Sequence, residues 1–437
     1  MPAGPLKVCS DNPRYLATPG GNAVYLTGSH TWACLHERLL PETQIFDYSV
    51  WLDMMERCGH NFLRLWAWEQ SAFMQFTDRV VRYGPNRYKR TGPGEAKDGG
   101  PKFNLEQFNE DFFDRLRSRT VAAGKRGIYV CVMLFQGFSL DKRGKKQEGL
   151  NAYDGHPMNA ANNVNGVNGD PNGSGKGHQV HTLDVPEITR LEEAFVRRVI
   201  DTLNDLDHVV WEISNESHRE SVDWQYHLID FIHNYEATKR KQHPVGMTGA
   251  PIQNDVLFDS SAEWISPVGR EYRSDPPEAD GRKVVIFDTD HGGHDDANPK
   301  CPWRCFTRGT SFITMDYYMD ARAGSPSVPM PKWDEIREQM GHVRRYADRM
   351  DLNRAVPRSN LASSGFCIAD VGSSYLVYLP DGGDVTIDLS GADGSMTAEW
   401  FSPVEGKVIF STQTDSSRSQ FQAPFDGDAV LYLAKNV

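Results

Sequence analysis

The sequence has no apolar run approaching the ~18 residues that a membrane-spanning helix needs, so no membrane partner is expected. Its first residues, MPAGPLKVCSDNPRY, lack the basic and then apolar pattern of a secretory signal. A cytoplasmic protein, or a secreted one whose signal has been removed, is expected. Positive charge is also short: Lys and Arg number 47 against 59 Asp and Glu, and the net charge of -12 disfavours nucleic acid and anionic surfaces. The 7 cysteines are odd in number and follow no pattern. Cys34, Cys58, Cys131 and Cys367 lie in apolar segments and read as buried thiols. Cys301 and Cys305 have no second pair at zinc-finger spacing, so no zinc site is expected there. No glycine-rich phosphate loop follows the first strand-like segment, which counts against a doubly wound open sheet.

With 437 residues, 39% of them hydrophobic and 24% charged, the chain reads as an ordinary soluble protein of two domains. Strand-like runs fall at 24–32, 61–68, 128–135, from 209, 245–248, 263–266, 284–287 and 312–315. Helix-like stretches lie between them at 43–58, 105–124, from Pro186, 224–239, near Val256 and at 333–350. Phe108, Phe112, Leu116 and Val121, for example, fall near helical spacing. Strands alternating with helices or long loops predict an α/β fold, a parallel (β/α)8 TIM barrel. Past Pro357, short strand-like runs recur about every ten residues between turns such as Asp381–Gly383, predicting a small all-β sandwich. The expected division is a catalytic barrel at 1–355 and a packed accessory domain at 356–437. The segment 138–183 is a long insertion after the third strand, full of Gly and Asn, and is expected to form a structured lid over the mouth. Asn168, Asp170 and Asn172 alternate there, but the glycine and closing acid of a calcium loop are misplaced, so calcium is not expected. Residues 83–103 are expected to add to the same rim.

The most informative stretch is VVWEISNES at 209–217. An apolar strand ends in Asn215–Glu216, an amide beside a carboxylic acid. A carboxyl at the rim of an apolar barrel can have its pKa raised, as a general acid requires, and the amide can hold a substrate hydroxyl. In a barrel the strand ends converge, bringing together His30, Arg64, Trp66, Trp68, Glu69, Gln136, Glu212, Asn215, Glu216, His218, Asp288, Asp290, His291, Asp316 and Tyr317. Aromatic faces beside carboxylates suit a sugar: the rings stack on it and the carboxylates do acid–base chemistry. Arg64, Trp66 and Trp68 share parity and are expected to point the same way.

VVWEISNES resembles the fourth-strand signature of glycoside hydrolase clan A, especially the family 5 cellulase-like enzymes. NFLRLW, with Arg64, resembles their second-strand motif, whose arginine lies under the nucleophile. LTGSHTW and the trailing β-sandwich are similar to the apiosidase-like glycosidases that end in a collagen-binding-like domain. The resemblance implies Glu216 as acid/base and Asn215 as the ligand of the hydroxyl next to the reacting carbon. At the seventh strand the chain departs from the clan. VVIFDTDHGGHDD offers Asp288 and Asp290 where the clan has a nucleophilic glutamate. Either Asp288 or Asp290 could be the second catalytic carboxylate; Asp290, nearer the mouth, is favoured slightly, with Asp288 then orienting Arg64 or His291. Retaining enzymes hold their carboxyls about 5–5.5 Å apart and inverting ones about 6.5–9.5 Å. Losing one methylene withdraws the carboxyl by about 1.5 Å. Retention is therefore an implication of the resemblance alone.

The expected function is hydrolysis of O-glycosidic bonds in a poly- or oligosaccharide. His30, Trp66, Trp68, His291 and Tyr317 are candidate substrate contacts beside Asn215 and Arg64. No cofactor and no metal are expected, and oligomeric state is open. One alternative is a carbohydrate-binding barrel without catalysis, supported by the missing glutamate. Another is a metal-dependent hydrolase using Asp288, Asp290, His291, His294, Asp295 and Asp296, a set rich in ligand types.

Overall fold

Runs that are apolar at every position suit strands covered on both faces, and these runs build the central sheet. The computed structural model describes residues 4–39, 45–74, 79–141, 149–292, 298–316, 333–392, 394–416 and 419–436. Eight parallel strands lie side by side: β1 (Thr27–His30), β2 (Phe62–Leu65), β3 (Tyr129–Gln136), β4 (Val209–Asn215), β5 (Val245–Thr248), β6 (Trp264–Ser266), β7 (Val284–Asp288) and β8 (Ser311–Met315). The hydrogen-bonded order runs β1–β8–β7–β6–β5–β4–β3–β2. The ring closes where the Asn61 amide N–H donates to the Thr27 carbonyl at 2.9 Å and the Asn61 side-chain oxygen accepts from the Thr27 N–H at 2.9 Å. Gly28 makes that approach possible, because a Cβ there would sit 1.7 Å from the Phe62 carbonyl oxygen.

Seven helices flank the strands among the described residues: α1 (Tyr48–Arg57), α2 (Glu110–Gly124), α3 (Pro186–Leu203), α4 (Val222–Ala237), α5 (Asn254–Asp259), α6 (Cys301–Thr307) and α7 (Asp334–Ala347). Between β6 and β7 the crossover holds only a 3-10 turn, Arg270–Arg273. The expected barrel is thus present. Inside it, side chains of one parity change character along the strands. Phe62, Val210 and Ile286 join an apolar cluster with Leu6 and Leu16, whereas Arg64, Glu212 and Asp288, two residues further on, form a buried charged layer.

Three local expectations are corrected. The helix expected from 105 begins at Glu110. Asn109 caps it by accepting from the Asp111 N–H at 3.3 Å, and Leu105 and Phe108 belong instead to a hairpin, Tyr88–Glu95 with Pro101–Phe108. The first strand-like run divides between Ala23–Val24, in a small N-terminal sheet, and β1. The rim segment 83–103, expected as a loop, instead takes in the end of a further strand, Val81–Gly84, and most of that hairpin. The described part of the insertion after β3 from 149 onward is packed, as expected of a lid: Tyr153, Met158, Val167 and Val180 pack with Tyr88, Phe103 and Leu105 of the hairpin and with Ile188 and Leu191 of α3. Asparagines replace regular secondary structure there. The Asn163 side-chain N–H group donates to the carbonyls of Pro157, Asn159 and Val167 at 2.9–3.1 Å.

The C-terminal part has the seven expected strands: β9 (Cys367–Asp370), β10 (Ser374–Leu379), β11 (Asp384–Thr386), β12 (Ser395–Ser402), β13 (Lys407–Asp415), β14 (Gln420–Gln422) and β15 (Ala429–Lys435). An antiparallel sheet, edged by the short strand Val356–Pro357 and continuing β9–β10–β15–β12–β13, faces the pair β11–β14 across a core that includes Val377, Ile387, Trp400 and Phe421. Its other face packs on the barrel: Leu376, Tyr378, Phe401 and Tyr432 form one apolar cluster with Trp303, Phe306, Val343 and Tyr346 of α6 and α7. Removing residues 356–437 therefore uncovers three buried aromatics of the barrel, each worth about 1.5–3 kcal/mol of burial. The truncated chain is expected to aggregate on size-exclusion chromatography where the full chain elutes as a single species.

Candidate active site

The charged layer at the C-terminal ends of the strands is organised by Arg64. Its Nε donates to Glu212 Oε2 at 2.7 Å, its Nη2 to Glu212 Oε1 and, at 2.7 Å, to Asn215 Oδ1, and its Nη1 to Asp288 Oδ2 at 3.0 Å. Arg64 is 2% exposed, while Glu212 and Asp288 are fully covered. Glu212 is the buried counterion of Arg64. Asp288 uses both oxygens: His30 Nε2 lies 2.9 Å from Oδ1 and 2.8 Å from Oδ2, and the Asp290 amide N–H donates to Oδ1 at 2.9 Å. Burial alone would raise the Asp288 carboxyl, but His30 and Arg64 outweigh it and hold it well below the usual carboxylate range. Asp288 therefore orients Arg64, as expected, with His30 as its other partner; the His291 ring makes no hydrogen bond to its carboxylate. Asp290 is also buried, with its Oδ2 at 3.7 Å from Arg64 Nη1.

Asn215 links the charged layer to the rim. Its Oδ1 accepts from Arg64 and from His291 Nε2 at 3.0 Å, and its Nδ2 donates to Gln136 Oε1 at 3.0 Å. Because Arg64 only donates, this side-chain amide has one possible orientation. The bond also fixes the His291 proton on Nε2, leaving Nδ1 to accept from the Ser266 hydroxyl at 2.9 Å. Burial first, and then Arg64, lower the His291 pKa, keeping the ring neutral.

Glu216 follows Asn215 and is only half-buried in a run of otherwise covered residues. Its φ is +47°, the left-handed region that a non-glycine residue occupies at a cost of about 1–3 kcal/mol. Such strain persists where surrounding contacts impose it. On one side Asn215 is held by three bonds, and on the other Ser217 Oγ meets Ser214 Oγ at 2.6 Å and His181 Nδ1 at 3.2 Å. Beneath them, a Cβ at Gly137 would fall 2.3 Å from the Glu216 carbonyl oxygen and 2.4 Å from Ser217 Cα. Gly137→Ala is expected to shift the Glu216 peptide and lower kcat/KM about 100-fold with the circular dichroism spectrum unchanged. Wild-type kinetics in that variant would contradict the placement of Glu216 at the reacting centre.

The candidate substrate contacts are placed as follows. His30 stacks on Trp66, with centroids 5.2 Å apart and planes 12° apart, and the Arg64 guanidinium lies 5.2 Å from the same ring. Trp66 thus joins Arg64, as its parity requires. Trp68 packs among Trp32, Tyr83 and Phe138, and its indole N–H donates to the Trp32 carbonyl at 2.9 Å. Tyr317 lies outside the described residues, as do His294, Asp295 and Asp296 of the metal alternative. Asp316 is engaged by Arg337 of α7 at 2.6 and 2.7 Å.

Among the described residues, one group has ligand atoms close enough for an ion: His178, His218 and Glu220, within 4.8 Å of one another. The two imidazoles stack at 4.3 Å with planes 13° apart, so their lone pairs lie in nearly parallel planes and do not converge on one ion. In the asparagine-rich stretch, Asp170 accepts from Ser174 and Gly175 amide N–H groups at 3.1 and 2.6 Å and closes a turn. Sequence reasoning noted Glu69 at a strand end without a role, and it missed His156, His181 and Arg87. The signal for the two histidines was their presence in the long insertion; Arg87, in the rim segment, had none.

Comparison with known proteins gives the fold a context. Residues 79–269 match a family model described as a domain of unknown function, DUF6298, and residues 359–434 match one described as "putative collagen-binding domain of a collagenase". A glycoside hydrolase family 5 structure from Bacteroides vulgatus ATCC 8482 is similar at 16% identity and a TM-score of 0.65, covering 99% of this chain and 94% of that one. A structure described as a glycoside hydrolase is similar at 15% identity and a TM-score of 0.63, covering 99% and 97%. No curated protein matches the sequence. The barrel followed by a β-sandwich is thus a fold shared with glycoside hydrolase structures over nearly the whole chain.

Proposed function

We propose that this chain is a glycoside hydrolase that cleaves O-glycosidic bonds of an oligo- or polysaccharide, with Glu216 as the acid/base and Asp290 as the second carboxylate. The observation that carries this reading is the division of labour among four carboxylates. Glu212 and Asp288 are fully covered and hydrogen-bonded to Arg64, whereas Asp290, also buried, stands 3.7 Å from that guanidinium and Glu216 is half-exposed, the two lying past the ends of β7 and β4. Glu216 protonates the glycosidic oxygen as the bond breaks. Asp290, kept near the cation of Arg64, attacks the anomeric carbon, and water then releases the sugar with Glu216 taking its proton. Asn215, held by Arg64 and His291, is oriented for a sugar hydroxyl next to the reacting carbon. The net stereochemistry is retention.

The test is a panel of aryl glycosides and polysaccharides with the wild-type protein, Asp290→Asn and Asp288→Asn. Wild type is expected to turn over at least one member. Asp290→Asn is expected to lose turnover while keeping its melting temperature, and Asp288→Asn to lose melting temperature as well. A wild type that binds a sugar and cleaves none would replace this reading with a binding barrel. The anomer formed first, followed by NMR, checks retention, and the opposite anomer would overturn it.

A further inference from the structure

Both residues that flank Glu216 lead, through one intermediary each, to the same buried carboxylate. Glu69 follows β2, and its Oε1 accepts from the Gln136 backbone N–H at 2.7 Å. Gln136 in turn receives the Asn215 side-chain N–H at 3.0 Å. The same Oε1 lies 3.0 Å from His181 Nε2, and the far nitrogen of that ring meets Ser217 Oγ at 3.2 Å. Glu69 Oε2 takes His156 Nε2 at 3.4 Å and lies 3.3 Å from Arg87 Nη1. Glu69 is 3% exposed and every partner is buried. Burial would raise its pKa, but Arg87 and His181, with the hydrogen bonds of both histidines, reverse that and hold it well below the usual range. The proton order is consistent throughout. The Ser217 hydroxyl donates to His181 Nδ1, His181 Nε2 donates to Glu69, and an ionised carboxylate only accepts.

Two elements of different origin thus meet on one anion. His156 and His181 belong to the insertion after β3, while Gln136 ends β3 itself. We propose that Glu69 is a positioning residue for the acid/base: it docks the lid through its two histidines and, through Gln136 and His181, holds Asn215 and Ser217 so that Glu216 keeps its left-handed backbone. Lid placement and acid placement are therefore one event. The proposal rests on the reading of Glu216 as the acid.

Glu69→Gln keeps the shape of the side chain but turns an –NH2 toward two groups that previously found a carboxylate oxygen. The informative readout is kcat/KM for two aryl glycosides of one sugar, one with a poor leaving group and one with a dinitrophenolate. Protonation matters for the first and little for the second. Glu69→Gln is expected to lower kcat/KM about 100-fold for the poor leaving group, the scale set by displacing a reacting group by about an ångström. For the activated substrate it is expected to change kcat/KM less than about threefold, since no acid is needed there. Ser217→Ala cuts one arm without stranding a charge and is expected to show the same selectivity at smaller size, which covers the case where Glu69→Gln fails to fold. Equal losses on both substrates would overturn the proposal and leave a merely structural role. Glu216→Gln, run alongside, separates the two readings: if it shows no selectivity, the acid assignment itself fails. Hydrogen exchange of the full chain needs no substrate. Faster exchange of amides at both 153–181 and 213–218 in the Glu69 variant, or in Ser217→Ala at 213–218, is expected, and unchanged exchange at 213–218 would also overturn the proposal.

Discussion

Glu216→Gln is expected to lower kcat/KM for an aryl glycoside with a poor leaving group by about 10²–10⁴-fold, the range that general acid catalysis supplies. The substitution is isosteric and sits at a half-buried position, so the network through Asn215 and Ser217 stays intact and melting temperature is expected to be unchanged. A dinitrophenyl glycoside of the same sugar departs without protonation, and its kcat/KM is expected to fall less than about tenfold. Sugar binding, followed by calorimetry, persists. Uniform losses across leaving groups would place the acid elsewhere in the barrel.

The second large effect is on folding. Arg64→Met removes the one guanidinium bound to both Glu212 and Asp288, which are fully covered. Breaking a buried pair by deleting one partner costs about 3–5 kcal/mol, because the remaining charge has no solvent. Net stabilities of domains are about 5–15 kcal/mol, so two stranded carboxylates consume a large share. Asp288 keeps His30, while among the described residues Glu212 keeps only the weak Cys131 thiol donor at 3.4 Å. The melting temperature is expected to fall by on the order of 10 °C. Arg64→Met with Glu212→Leu replaces both halves of the pair by apolar groups and is expected to recover about half of that loss. A double variant no more stable than the single one would show that the Arg64–Glu212 pair is not what holds the charged layer.

The barrel was legible because its strands are buried on both faces. YVCVMLFQ and VVWEISN have no solvent-exposed face, and all their residues are buried. The rim hairpin was not, since YKRTGPGE and PKFNLEQF carry little periodicity and gain their shape from contacts with the insertion and α3. Leu105 and Phe108 fell at helical spacing with Phe112 and extended the expected helix backward past its Asn109 cap. At the site, parity grouped Arg64 with Trp66, and the structure places that ring 5.2 Å from the Arg64 guanidinium. Parity cannot say which aspartate is occupied, because that depends on His30, which comes from a strand 258 residues away in the chain. Glu69 was visible as a strand-end acid, but its partners lie 87 and 112 residues along the chain in a segment without a pattern. The left-handed backbone at Glu216 had no sequence signal, since glycine, the residue that marks such positions, is absent from it.

The most direct test of the central claim is covalent trapping. A 2-deoxy-2-fluoro glycosyl fluoride of a sugar that the wild-type protein turns over slows release of the intermediate and leaves the glycosyl group on the nucleophile. Peptide mass spectrometry of the treated protein then reads which residue carries it. The expected result is one adduct, on Asp290. An adduct on Asp288, or full turnover of that sugar's aryl glycoside with no adduct at all, would contradict the assignment of Asp290 as the nucleophile of a two-carboxylate glycosidase.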